Sequence, residues 1–238
     1  MKTIWKREWQ SYFYTPVGYV FIGVFLLISS ILFYLAVLQQ HSGDLPTFIG
    51  EMSYLWMLLC PVLTMRLLAE ERQKKTDQLL LTSPVSLPGI VMGKYLAAIS
   101  VLLITAAASL LYALVVALYG TVYPAELAVC MLGFCLQGCA FVAMDLFCSA
   151  CAATPVTAAL LAFGANFLLW MLDLMESRIG ISWVEEGIRF MSLYRRNEPF
   201  LMGQLSFAGV IFDVSFAILF LAMTVHHLDG RRYRRAAV

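Results

Sequence analysis

The chain has 238 residues, 61% of them apolar and 13% charged, with a net charge of +1 and a mean hydropathy of +0.82. A soluble domain is roughly 45–50% apolar and about 25% charged. The composition excludes a disordered tail, a disulfide-built secreted module and an ordinary cytosolic enzyme, and the balanced charge gives no sign of a nucleic-acid partner; it predicts a polytopic membrane protein.

Ile4, Trp5, Trp9, Tyr12 and Phe13 recur at helical spacing over residues 2–15, with Lys6, Arg7 and Gln10 opposite. That pattern predicts an amphipathic helix in the headgroup layer with tryptophan at the boundary. Pro16 separates it from the first span. Such a helix is either a lever that docks on a cytoplasmic partner or a topogenic anchor. Sixteen residues precede the first span and no small-residue cleavage pattern follows it, so an uncleaved span is expected.

Crossing about 30 Å of hydrocarbon takes roughly 20 apolar residues. Six segments meet that need: 17–38, 52–69, 94–118, 127–150, 155–172 and 206–226. The second is short and carries Pro61 and Arg66. An even count puts both termini on one side. Twelve Lys and Arg residues then share a side with the termini and four lie opposite, so the richer side is expected to be cytoplasmic.

The inner segment 70–93 reads EERQKKTDQLLLTSPVSLPGIVMG. A charged cluster precedes the run Leu79, Leu80 and Leu81, and Thr76 or Asp77 can cap a short helix containing it. A second short segment, 87–92, leads into the third span. Three leucines in so short a helix need membrane, bundle or a partner's groove, so the segment either docks a partner or dips into lipid. Gly89 to Tyr95 has a passing likeness to a phosphate loop. Its glycine spacing is one short, Tyr95 replaces the hydroxyl that would hold magnesium, and no strand precedes it. ATP binding by this chain is not expected.

The outer segment 173–205 is long and semi-apolar, punctuated by Gly180, Gly187 and Pro199. Short helices re-entering the outer leaflet would suit it, either as a gate or as an interfacial cap. Polar residues within the spans are few: Arg66, Gln137, Asp145, Asn166 and Asp213. An ionised aspartate at mid-membrane costs roughly 2.5–3.5 kcal/mol, so each acid should pair, titrate or line water. Arg66 is the expected partner of Asp145, and Arg195 or Arg196 of Asp213. All six cysteines fall in predicted spans. Cys148 and Cys151 have CxxC spacing without a second pair or a nearby histidine, which favours helix packing over redox or metal chemistry. No metal-ligand set and no nucleophile with a base is present, so no catalysis by this chain is expected.

With those residues in hand, the chain resembles the permease subunit of ABC-2 type transporters, closest to the bacterial gliding-motility-type permeases. The likeness is strongest from Glu71 through Thr76, Asp77, Leu79, Leu80, Leu81, Thr82, Ser83 and Pro84 to Val85, and continues from Ile90 to Leu96; Asn197-Glu198-Pro199-Phe200 also fits. Two departures stand out: Lys75 where the family usually has glycine, and Gln78 where glutamate is common. The resemblance implies an all-α fold of six transmembrane helices with an N-terminal interfacial helix. It implies a coupling helix at 76–83 after the second span and short re-entrant helices before the sixth. Glu70, Glu71, Thr76, Asp77, Leu79, Leu80, Leu81, Thr82 and Ser83 would then meet a cytoplasmic ABC ATPase subunit. ATP and magnesium would sit on that partner, with no cofactor on this chain. A second permease chain, identical or paralogous, would complete the path among membrane lipid in the bacterial cytoplasmic membrane, and the subgroup leaves room for an outer accessory protein. Two other readings remain open: an ATP-independent proton-coupled carrier using Asp145 and Asp213, and a non-transporting scaffold.

Overall fold

The computed structural model describes residues 2–39, 44–76, 86–119, 121–175 and 192–236. Helix α1 spans Lys2–Tyr14, and α2 spans Val17–Phe33 and runs on as a π-helical turn, Tyr34–Leu38. Helices α3 (Leu45–Thr64) and α4 (Arg66–Gln73) follow one another across Met65, whose backbone is itself helical. Then follow α5 (Leu87–Tyr119), α6 (Pro124–Cys151), α7 (Pro155–Met175), α8 (Leu193–Leu201) and α9 (Phe207–Ala236). Six helical stretches are long and apolar enough to cross a membrane, and the second of them is α3 and α4 together, Leu45–Gln73.

Local chemistry sets where these helices begin. The Asp44 carboxylate accepts the Thr47 amide at 3.2 Å and the Thr47 hydroxyl at 2.6 Å, and Pro46 occupies a first-turn position that needs no amide partner. The second span therefore starts at Leu45 rather than at 52. Thr154 and Thr157 bond each other's amides reciprocally at 3.3 and 3.1 Å, with Pro155 opening α7. Ser192 accepts the Arg195 amide at 3.1 Å to start α8, and Ser206 accepts the Gly209 amide ahead of α9.

The 87–92 segment is not a separate helix. It forms the first turns of the 33-residue α5, which passes through Gly93 without a break. Gly93 serves a close approach: a Cβ there would come within 3.0–3.3 Å of Ile4 and of the Trp5 backbone on α1. The residues that looked like a phosphate loop are thus the seat of the N-terminal helix.

Helix α6 is the central post, in contact with α3, α4, α5, α7, α8 and α9. Around it α3 is the most buried span, whereas α2, α7 and α9 leave most of their apolar surface outward, as lipid-facing helices do. Apolar burial alone does not drive helices together in lipid; packing and interhelical hydrogen bonds do. Both are present. Trp56 of α3 sits edge-on to Phe21 and Phe25 of α2 and Phe134 of α6, with centroids 5.6–6.3 Å apart. Tyr112 of α5 packs with Phe33 and Phe48 and donates its hydroxyl to the Leu26 carbonyl at 2.9 Å.

Candidate coupling site and the buried polar clusters

At the end of the bundle that carries the chain termini, Lys94 of α5 is 1% exposed, and its ammonium lies 2.9 Å from Glu71 of α4 and 3.3 Å from Glu8 of α1. It also donates to the Leu67 carbonyl at 2.5 Å. Arg7 bonds the same two acids, Glu8 at 3.0 Å and Glu71 at 3.1 Å, which raises the affinity of its guanidinium for the proton. One buried ammonium thus ties three helices that are remote in sequence. Beside it, Arg66 pairs with Glu70 at 2.7 Å and Lys74 with Glu70 at 2.7 Å along α4. A cavity of about 650 Å³ opens here, lined by Arg7, Glu8, Glu70, Glu71, Lys74 and Thr76.

Helix α4 ends in a Schellman turn: the Thr76 amide bonds the Glu71 carbonyl at 2.9 Å and the Lys75 amide bonds that of Arg72 at 3.1 Å. Such a turn needs a left-handed residue, and Lys75 supplies it with φ of 57°. Lys75 thus holds, with a side chain, a backbone conformation that glycine adopts most readily. Of the coupling residues expected from sequence, Glu70, Glu71 and Thr76 edge this cavity, while Asp77, Leu79, Leu80, Leu81, Thr82 and Ser83 lie outside the described residues.

The α3–α4 backbone receives side-chain bonds from four other helices. Tyr12 of α1 donates to the Leu63 carbonyl at 3.0 Å, and burial pushes its phenol pKa up, so it stays a donor. Lys94 of α5 takes the Leu67 carbonyl. Ser149 of α6 accepts the amides of Leu68 and Ala69, each at 3.2 Å, and donates to the Met65 carbonyl at 3.2 Å. Asn166 of α7 donates to the Met57 carbonyl at 3.1 Å. Arg72 returns the favour from α4, donating to the Cys151 and Ala152 carbonyls at the C-terminal end of α6.

The expected Arg66–Asp145 pair is not formed. Asp145 is fully buried beside Cys60 and accepts from Asn166 Nδ2 at 3.2 Å. It lies level with Cys60, six residues or about 9 Å of helix from Arg66, and Glu70 is in reach of Arg66 one turn along the same face. Asp213 lies 3% exposed within the field of Arg196, which rests 4.4 Å over the Phe212 ring. Gln137 of α6 accepts from Asn197 of α8 at 2.5 Å. Gln137 and Asn166 are both buried, and the sequence gave no partner for either.

Helix α8 lies against α6 over Gly133. A Cβ on Gly133 would stand 2.6–2.7 Å from Asn197 and Phe200, so only glycine admits that contact. Beneath α8 a cavity of about 370 Å³ is lined by Ser53, Tyr54, Gln137, Tyr194, Arg195 and Glu198. Tyr54 and Tyr194 stack at 4.6 Å, and the Tyr194 hydroxyl donates to the Met57 sulfur at 2.8 Å. This is the described part of the outer segment; residues 176–191 lie outside it.

Sequence reading missed Glu8, Tyr12's bond and Ser149 as structural partners, and it treated Lys94 as a loop-flanking charge. One signal was there: Lys94 is followed by Tyr95, Leu96, Ala97 and Ala98, so it sits inside an apolar helix rather than beside one. Among the described residues, no group of three or more His, Cys, Asp or Glu side chains could hold a metal ion, and the six cysteines are free thiols.

A bundle of six apolar spans joined by internal polar bonds defines a polytopic helical membrane protein. Residues 3–181, about three quarters of the chain, match the family model described as "ABC-2 family transporter protein", and the chain belongs to that family. It is accordingly a non-catalytic membrane component, of permease type. No curated protein matches the chain.

Proposed function

We propose that the chain is the membrane subunit of an ATP-driven exporter, which pairs with a second permease chain to enclose the path and couples to a separate ATPase through the inner segment 70–93. Family membership supports the transport reading. The observation that carries the coupling reading is the buried Lys94, which joins Glu71, at the edge of that segment, to Glu8 on α1. A push on the segment would reach α1 and α5 through this ammonium, and α3 directly through α4. ATP and magnesium belong on the ATPase, whose closure shifts the permease only by the difference in contacts it makes with the two permease states. On this reading 76–83 is the coupling helix, α1 an interfacial lever, α8 part of an outer gate, and both termini lie in the cytoplasm at the plasma membrane.

The test is to purify the tagged chain in mild detergent and ask whether an ATPase with a phosphate loop accompanies it. Changing Leu79, Leu80 and Leu81 together to Asp should abolish permease-stimulated ATP hydrolysis while the spans stay folded. Unaltered stimulation in that variant overturns the docking site. Transport by the chain alone under a proton gradient, lost in Asp145→Asn, would establish the carrier reading instead.

A further inference from the structure

Helix α3 carries a proline at position 61, where the backbone lacks an amide hydrogen. The carbonyl that this amide would have met, four residues back, belongs to Met57. In a bilayer such a freed carbonyl must find another partner, because no water is available to it. Its partner is Asn166 Nδ2 of α7, at 3.1 Å. Asn166 is 2% exposed and Asp145, which also accepts from the same amide, is fully buried. A side chain from another helix thus completes the ladder of α3 at the residue where proline breaks it.

The same device recurs one turn beyond Thr64, where α3 gives way to α4. The Ser149 hydroxyl has one hydrogen and two lone pairs, and all three are used: on the Met65 carbonyl, the Leu68 amide and the Ala69 amide. The two weak points of the second span are therefore each closed by a side chain from a neighbour, Asn166 from α7 and Ser149 from α6. Helix kinks arise at proline and where a side chain enters the ladder, and both causes are present here. The segment between these points, Met57 to Ala69, is the stretch that leads into α4 and the inner cavity.

We propose that Asn166 is a positioning residue: by holding the Met57 carbonyl that Pro61 leaves free, it fixes the course of α3 past the proline and so the placement of α4. The inference gives the permease reading a joint at which motion of the inner segment enters the spans, and it rests on that reading only for the direction of use. The bond itself depends on this chain alone.

A double-substitution cycle tests it on the full-length purified chain. Pro61→Ala restores the amide at position 61, which can then reach Met57 without help. Asn166→Leu removes the side-chain donor. With Pro61 present, Asn166→Leu should lower the unfolding midpoint by about 2–4 °C, as loss of a buried hydrogen bond does in a chain of this length. With Pro61→Ala, the same substitution should lower it by less than half as much. Spin labels attached bioorthogonally at positions 51 and 73 report the course of α3 into α4. Asn166→Leu should shift their separation in the Pro61 chain and leave it nearly unchanged in the Pro61→Ala chain. Equal effects of Asn166→Leu in both backgrounds overturn the proposal, and so does an unshifted label separation, which would leave Asn166 as a packing contact of Asp145. Neither readout involves an ATPase, so failure here is distinct from failure of the exporter reading.

Discussion

Two lysines at the end of the bundle that carries the chain termini show how the same residue type meets opposite energetics. Lys94 is enclosed, and its charge is held by Glu8 and Glu71. Removing one member of a fully buried ion pair costs about 3–5 kcal/mol; here Arg7 still pairs with both acids, so the loss falls below that range, with the Leu67 carbonyl left without its donor. Lys94→Met is therefore expected to lower the thermal unfolding midpoint of the purified chain by more than any exposed-pair substitution does. Lys74→Met, which breaks an exposed pair on the surface of α4, should change stability by no more than about 0.5 kcal/mol. Lys75 poses a different question, since its cost lies in the backbone. A left-handed conformation costs a non-glycine residue about 1–2 kcal/mol, so Lys75→Gly should raise the unfolding midpoint by a few degrees. An unchanged or lowered midpoint would mean that the lysine side chain contributes a compensating contact.

Among the elements, α8 has the most specific seat. Its Asn197 and Phe200 lie on Gly133, and the Cys130 thiol of α6 donates to the Phe200 carbonyl at 3.1 Å. Gly133→Ala introduces a methyl with no room, which typically costs 1–3 kcal/mol through displacement of the neighbour. The expected result is faster reaction of Cys130 with a maleimide, because α8 covers it in the native chain. Cys130 reactivity equal to the parent's would show that α8 absorbs the methyl without moving. The pairing of α1 with α5 is the counterpart on the inner side: Gly93 admits Ile4, and the Trp5 indole donates to the Ser100 hydroxyl at 3.1 Å. A helix with this many specific contacts is part of the bundle as well as a surface feature, which amphipathicity alone did not show.

Across the whole molecule, the parts legible in the sequence are those written in local pattern. The six apolar runs and Pro16 between α1 and α2 follow from composition and period. Partners were not legible, because they depend on which faces of the helices meet. Arg66 was matched to Asp145 by depth, whereas the helix offered it Glu70 on its own face. Lys94 was counted among the charges that orient the bundle and turned out to serve its interior. Without Lys94, the side that carries the termini still has eleven cations against four opposite. A fluorescent-protein fusion to the C-terminus should therefore fluoresce and an alkaline phosphatase fusion there should be inactive; the reverse pair of results would invert the bundle.

The bonds that complete α3 and α4 also bear on the order in which the protein is made. Leu45–Gln73 is the least apolar of the six spans, and its backbone is finished by Lys94, Ser149 and Asn166. All three belong to helices synthesised later. During synthesis the second span is thus the poorest candidate to rest in lipid by itself, with the Met57 carbonyl unmet until α7 has entered the bilayer. Nascent chains released before residue 166 should leave this span in slower exchange between translocon and membrane, and exposed to quality-control proteases, whereas chains that include α7 should be retained. Entry of α7, which brings Asn166 to the carbonyl that Pro61 frees, would in that way mark the point in synthesis at which the backbone of the second span is complete.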